Sequence, residues 1–288
     1  LTPTVYIIVG PTAVGKTKYA IDLAKKLNTE IISADARQCY QELNIGVARP
    51  SMEELTSVPH HFIASHSIED TVNAGVFETY ALAKTESLLA QFGSVVMVGG
   101  TGLYIKAFAE GIDSIPAIDP AIRAQIQNDV FNKGIDWLQG QVKSLDPKYW
   151  AAADLGEQQN TQRLSRALEV ILGTGQSILE FQHQQKQDRP FAIEKIGLDM
   201  PRAQLYDRIN QRVVQMVGMG LEEEVRSLLP KFHLNALQTV GYQEWVPYFK
   251  GEQSKEAVIQ AIQQNTRHYA KRQMTWFKKD SSIQWISS

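Results

Sequence analysis

Cysteine is almost absent: Cys39 stands alone in 288 residues. That excludes an intrachain disulfide and any multi-cysteine zinc or iron–sulfur centre, and a reducing, cytoplasmic setting is expected. Long hydrophobic runs are missing as well. The strongest apolar stretches, 5–9 and 95–98, fall far short of the ~20 residues of a spanning helix, so no membrane association is expected. The chain enters an apolar strand pattern with no basic n-region or cleavage site ahead of it, so no signal peptide is expected. Nor is either sign of charge in excess. Lys and Arg number 29 against 31 Asp and Glu, a formal net charge of −2. This excludes a uniformly basic nucleic-acid coat and leaves local basic patches open. His60, His61 and His66 match no standard zinc spacing. What is present is a hydrophobic fraction of 43%, ample for a sizeable core in one or two domains.

The first third alternates strand and helix patterns. Apolar residues 5–9 end at Gly10, and Ala20, Leu23, Ala24 and Leu27 follow at helical spacing. Residues 30–35 form a second strand pattern, 76–92 a helix, and 94–98 a third strand ending in Gly99 and Gly100. Short connections in this order predict a parallel sheet wrapped by helices. Past Asp113 the patterns become helical. Asp119 and Pro120 form a start signal, Ile122, Ile126 and Val130 repeat every four residues, and Gly134 reads as a stop. Residues 161–172 form another helix and 182–189 a polar loop. A strand pattern returns at 194–200, followed by helices near 205–216, 221–229 and 255–278. The expected architecture is an α/β core, residues 1–113 and 191–288, interrupted by an all-helical insertion, residues 114–190.

Gly10, Pro11, Thr12, Ala13, Val14, Gly15, Lys16 and Thr17 match G-x-x-x-x-G-K-[ST] without deviation, after a strand and opening a helix. Such a P-loop curls its backbone N–H groups around an anion at a helix N-terminus. Lys16 adds a full charge and Thr17 a hydroxyl for Mg²⁺. The motif specifies a polyphosphate without specifying which one. An NTP-hydrolysing P-loop protein also carries a metal-holding Asp after an apolar strand. Here Asp35 ends the second strand pattern, at the sheet edge where α/β folds bind ligands. It fits a metal holder, a general base or a loop cap.

Residues 31–40 (IISADARQCY) with 45–50 (IGVARP) resemble the second signature of the tRNA dimethylallyltransferases, of bacterial type. Residues 98–105 (VGGTGLYI) resemble a third signature, and 162–170 (QRLSRALEV) a fourth. Residues 223–226 (EEVR), 239–242 (TVGY) and 266–277, with its RHYAKRQ and TWF runs, complete the series in family order. Ala36 stands where the family commonly has serine, Cys39 where it has an aliphatic residue, Val47 for threonine, Arg49 for lysine and Thr161 for proline.

The resemblance implies a P-loop NTPase-like α/β core with a helical insertion. It implies transfer of a dimethylallyl group from its diphosphate to N6 of adenosine 37 in the tRNA anticodon loop. The cradle formed by residues 10–17, with Mg²⁺ at Thr17, would hold the diphosphate. Lys16 would stabilise the leaving charge, and Arg226 is a candidate further contact. Read locally, Arg226 is equally a surface arginine paired with Glu222 or Glu223. Asp35 would be the general base for the weakly nucleophilic amine, with Thr101 orienting the same group. An adenine stacked in a loop must be turned out to react. The family positions expected to touch tRNA are Asp35, Ala36, Arg37, Gln38, Thr101, Arg123, Gln159, Asn160, Thr161, Gln162, Arg163, Gln238, Val240, Gly241 and Tyr242.

Residues 265–279 carry five Lys or Arg and no acid, interleaved with Tyr269, Trp276 and Phe277. Arg267, Lys271 and Arg272 there suit RNA phosphate, although a solvated face over an aromatic core stripe reads the same locally. A monomer is expected. The rival readings are an adenylate dimethylallyltransferase using free AMP, ADP or ATP, a P-loop small-molecule kinase that binds ATP, and an RNA-binding regulator switched by nucleotide state.

Overall fold

Both faces of a parallel sheet must be apolar, because helices cover both, and the first strand meets this requirement. In β1 (Thr4–Val9), Val5, Ile7 and Val9 point to one buried cluster and Ile8 to another, as the period of two demands. The computed structural model describes residues 2–182 and 186–287. In chain order its elements are α1 (Lys16–Leu27), β2 (Ile31–Ser33), α2 (Met52–Ser57), β3 (His60–His61), α3 (Ala74–Phe92), β4 (Ser94–Val98) and α4 (Gly102–Glu110). There follow α5 (Pro120–Leu145), α6 (Pro147–Ala152), α7 (Leu155–Gln158), α8 (Thr161–Thr174) and β5 (Ala192–Asp199). The chain ends with α9 (Arg202–Gly218), α10 (Leu221–Leu228), α11 (Val246–Phe249), α12 (Lys255–Phe277) and β6 (Ile283–Ser287).

The six strands pair in the order β3-β2-β4-β1-β5-β6, all parallel. β1, β2 and β4 are the most deeply buried strands, and β5 is only part-buried. The strand order places the carboxyl ends of β2, β4 and β1 side by side. Two edge strands escape the sequence patterns. β3 has only two residues, both histidines, and β6 alternates too weakly to stand out. Their pairing with β2 and β5 is what makes them strands.

The chain divides into two compact units, Leu1–Glu110 with Gln187–Ser288, and Gly111–Lys186. The first holds the whole sheet. The second is helical, with its own core of Ile126, Leu138, Val142, Leu164, Ala167 and Leu168. Asn160 caps α8, its side chain accepting from the N–H groups of Gln162 and Arg163, a satisfied helix start of the expected kind. Gly134 ends the first helical segment of α5, as expected. It interrupts α5 with φ 76° and ψ −175°, and helical geometry resumes to Leu145. Apolar residues beyond the glycine, Leu138 and Val142, are buried and hold the second half in place. Part of the polar loop expected at 182–189, residues 183–185, lies outside the described residues. No helix among the described residues is long and apolar enough to cross a membrane.

Candidate active site

The phosphate loop leaves β1 at Gly10, whose φ is 142°. A Cβ there would lie 2.6 Å from the Leu198 carbonyl of the neighbouring β5, so the loop turns tightly against the sheet only with glycine. α1 begins after Gly15 without a side-chain cap, which leaves its first N–H groups available to an anion. Lys16 Nζ donates to the carbonyls of Gly10 (3.0 Å) and Pro11 (2.7 Å). Burial, and then the nearby Arg212 cation, push its ammonium down to about 7, with Asp35 opposing the shift. A lysine so destabilised as a cation gains from any phosphate that arrives.

Asp35 follows β2 directly. Its Oδ1 accepts the N–H groups of Arg37 (2.9 Å) and Gln38 (3.3 Å). One oxygen therefore caps the turn, and no hydrogen bond falls on Oδ2 among the described residues. The next turn along the sheet edge carries Thr101. The Ala34 carbonyl accepts Thr101 N–H (3.3 Å), and Thr101 Oγ1 accepts Ala36 N–H (3.0 Å). Thr101 is thus fixed beside the backbone of the proposed base, and its hydroxyl proton remains to be donated. The alanine at position 36 matters little here, because the contact uses its backbone.

A cavity of about 610 Å³ is lined by Lys16, Thr17, Asp35, Gly99, Gly100 and Arg212, among others. A smaller one of about 120 Å³ shares Thr12, Asp35, Arg212 and Met216 and adds an apolar wall of Ile209, Val213, Val240 and Ile262. Arg37 and Gly241 line the smaller cavity and Gln38 the larger. The Gln38 amide nitrogen donates to the carbonyls of Val47 (3.1 Å) and Ala48 (3.0 Å), holding the opposite wall. Cys39 is buried, and burial followed by the Asp35 charge pushes its thiol up to about 12. It is a small core side chain without thiolate chemistry.

Several expected residues lie elsewhere. Arg226 does not reach the phosphate loop. It pairs with Glu222 one turn back (2.8 Å), stacks over Phe249 (4.6 Å from the ring centroid) and is 57% exposed, so the local surface-pair reading holds. The arginine that does reach the loop is Arg212, whose Nη1 lies 3.4 Å from Thr12 Oγ1. It makes no salt bridge among the described residues, and burial followed by Arg208 depresses its guanidinium. A half-buried cation that only the more distant Glu54 carboxylate offsets is suited to receive an anion. Its position between Ile209 and Val213, on the buried stripe of α9, is the sequence signal that identifies it.

Tyr242 is likewise not a surface contact. It is fully buried, and its hydroxyl donates to Glu224 (2.6 Å). Burial and that carboxylate push its phenol up. Glu224 also accepts the N–H groups of Ile45 (2.8 Å) and Gly46 (3.0 Å). The EEVR run therefore serves the site through its second glutamate, which anchors the wall formed by residues 45–48.

Gln238 is exposed and tied to the Phe232 carbonyl (2.6 Å). Arg267 is held by Asn210 (2.7 Å), while Lys271 and Arg272 lie exposed on α12. In the helical unit, Arg123 pairs with Glu169 (3.3 Å) and Arg163 with Glu157, both arginines half-exposed. Gln159 ends α7, and Thr161 and Gln162 open α8 beside the Asn160 cap. His60 and His61 form β3, and no cluster of three or more His, Cys, Asp or Glu side chains suited to a metal occurs among the described residues.

A strand, a glycine-bearing loop around a buried lysine and a helix N-terminus, at the carboxyl edge of a parallel sheet, define a P-loop phosphate-binding protein of the α/β class. The family model for IPP transferase matches residues 38–280. The tRNA dimethylallyltransferase of Cytophaga hutchinsonii is 44% identical over 98% of this chain and 92% of its own length. That of Christiangramia forsetii is 47% identical over 97% and 91%. The crystal structure of the full-length tRNA isopentenylpyrophosphate transferase from Bacillus halodurans superposes with a TM-score of 0.72 at 35% identity, over 99% of this chain and 90% of that one. A eukaryotic dimethylallyltransferase acting on tRNA, at 23% identity, shares the fold with a TM-score of 0.78 over 99% of this chain and 74% of its own. The chain belongs to the IPP transferase family, alongside the bacterial tRNA dimethylallyltransferases.

Proposed function

We propose that this chain is a tRNA dimethylallyltransferase, moving the five-carbon group of dimethylallyl diphosphate to N6 of adenosine 37 in tRNA. One observation carries the reading. A phosphate loop with its buried lysine, a carboxylate with an oxygen to spare and an apolar wall line two cavities that share Thr12, Asp35 and Arg212 at one sheet edge. A kinase site needs the first of these and has no use for the last.

In this site the diphosphate sits on the loop, against the N-terminus of α1, Lys16 and Arg212. These charges stabilise the oxygens as the C–O bond to the dimethylallyl group breaks. Ile209, Val213, Met216 and Ile262 keep water from the hydrocarbon. The flipped adenine presents N6 to Asp35 Oδ2, with the Thr101 hydroxyl beside it. As the N6–carbon bond forms, diphosphate leaves and the N6 proton passes to the Asp35 carboxylate.

The Thr17 hydroxyl lines the same space as Asp35. Without a cluster of acids among the described residues, the donor set suits Mg²⁺, which keeps waters and binds largely through substrate phosphates. Thr17 and the diphosphate oxygens would hold it, and when bound it supplies further neutralisation of the leaving group. The helical unit, with Arg123, Arg163 and the α8 N-terminus on its surface, supplies contacts to the anticodon stem-loop. A tRNA substrate implies a cytoplasmic site of action.

The test is transfer of label from dimethylallyl diphosphate, with Mg²⁺, to unmodified tRNA, run beside AMP and beside Asp35→Ala. Label is expected in tRNA and not in AMP, with Asp35→Ala slower by about 10²–10⁴-fold. Label in AMP alone, or an Asp35→Ala variant as fast as the parent, would overturn the assignment.

A further inference from the structure

Gln273 lies on α12, 5% exposed, where its amide touches two loops at once. Its Oε1 accepts the N–H of Thr12 in the phosphate loop (2.8 Å), and its Nε2 donates to the carbonyl of Gly100 (3.0 Å). The partners fix the orientation of the amide: a backbone N–H only donates and a carbonyl only accepts. The approach is close. A Cβ on residue 100 would lie 2.1 Å from Nε2, so this end of the bridge requires glycine.

The two loops have different tasks. Thr12 belongs to the cradle for the leaving diphosphate and lies beside Arg212. Gly100 precedes Thr101, whose hydroxyl is fixed to the Ala36 N–H next to Asp35. A single buried amide therefore spans the loop that holds the donor and the turn that holds the groups facing the acceptor. No strand hydrogen bond does this, because β1 and β4 end before either loop begins.

We infer that Gln273 is a positioning residue for the transfer, setting the distance between the phosphate cradle and the Asp35–Thr101 side of the site. This rests on the prenyl-transfer reading above. An amide suits the task because it is neutral. It fixes both loops without adding charge beside Lys16, whose Nζ is also close to Gly100. It also takes the Thr12 N–H out of the set that phosphate can use, so the diphosphate is received by the remaining loop N–H groups, Lys16 and Arg212. Losing the bridge should loosen the reacting geometry more than it weakens either substrate, since a misplacement near 1 Å can cost about 10²-fold in rate.

The experiment compares wild type with Gln273→Met, which keeps length and removes the hydrogen bonds to Thr12 and Gly100 along with the side-chain contact to Tyr269, and Gln273→Asn, which keeps the amide on a stem too short to span both loops. Four quantities are read: kcat for transfer to tRNA, KM for tRNA, the Kd of inorganic diphosphate with Mg²⁺ by calorimetry, and Tm. Gln273→Met is expected to lose about 100-fold in kcat, with Kd and KM within about threefold of wild type. Gln273→Asn should fall in the same direction. The inference is overturned if a folded Gln273→Met keeps kcat within about threefold of wild type. It is equally overturned if kcat, diphosphate affinity and Tm fall together, which would mean that Gln273 only holds the fold. If the Met variant does not fold, Gln273→Asn decides by the same criteria. Wild-type protein that transfers no prenyl group would instead overturn the assignment of function, and this inference with it.

Discussion

The two compact units treat their polar residues in opposite ways. In the α/β unit the groups of interest are part-buried and tied to backbone. Lys16 is bound to Gly10 and Pro11, Thr101 to Ala36, Asp35 to Arg37 and Gln38, and Gln273 to Thr12 and Gly100. In the helical unit the arginines are half-exposed and paired with side chains, Arg123 with Glu169 and Arg163 with Glu157. Backbone ties survive thermal motion because they are part of the fold. The Arg163–Glu157 pair, part-exposed on both sides, is of the weak class, about 0–1 kcal/mol, and exchanges readily for another partner. Arg123 shares the buried Glu169 with Arg166 and keeps its own guanidinium toward solvent. The first arrangement suits chemistry, where a developing charge must meet groups already in place. The second suits a surface that gives up internal pairs for phosphates.

If that contrast is right, the largest effect belongs to Lys16. Lys16→Met should cost about 10²–10³-fold in kcat, read in a single-turnover transfer assay, and no arginine of the helical unit should match it. Its protonation sharpens the point. In the protein the ammonium titrates near 7, against 10.5 for an ordinary lysine. At pH 8 most molecules therefore carry it neutral, and arriving diphosphate draws a proton onto it. Calorimetry of diphosphate binding in buffers of different ionisation enthalpy should show proton uptake at pH 8 that is lost in Lys16→Met. The same shift has a sign in folding. Between about 7 and 10.5 the unfolded chain binds more protons than the folded one, so stability rises with pH across that window. Lys16→Met should flatten the rise.

A second comparison lies within the α/β unit, between a half-buried and an exposed arginine. Arg212→Ala should weaken binding of inorganic diphosphate by about 10–100-fold, the value of a hydrogen bond between charged groups. Arg226→Ala should leave that affinity within about threefold and change stability by no more than about 1 kcal/mol. Equal effects would show that the burial of Arg212 is irrelevant to its role. The smallest effect is expected in the helical unit. Arg163→Ala should reduce the slope of log affinity for tRNA against log salt by about one, as loss of a single phosphate contact does. At saturating tRNA its kcat should be unchanged. A fall in kcat instead would place Arg163 among the groups of the chemistry and dissolve the contrast between the units.

The phosphate loop, the apolar central strands and the amphipathic helices were legible in residue order alone, because each is a local pattern. A strand of buried residues, a glycine turn and a helix start occupy consecutive positions, and their geometry follows from neighbours one to four residues away. Asp35 and Thr101 were legible as residues after strands at the sheet edge where ligands bind. Packing decided the rest. Whether Arg212 or Arg226 meets the phosphate depends on which face of each helix is buried, and Phe249 with Glu222 claims Arg226 from outside its own helix as well as within it. Tyr242 sits in a motif but is spent in the core against Glu224, and β3 and β6 are strands only because β2 and β5 offer them an edge. Gln273 meets Thr12 across 261 positions of chain, a contact no periodicity encodes. Local pattern fixes backbone, but a side chain's partner is chosen by whatever distant element the core brings against it.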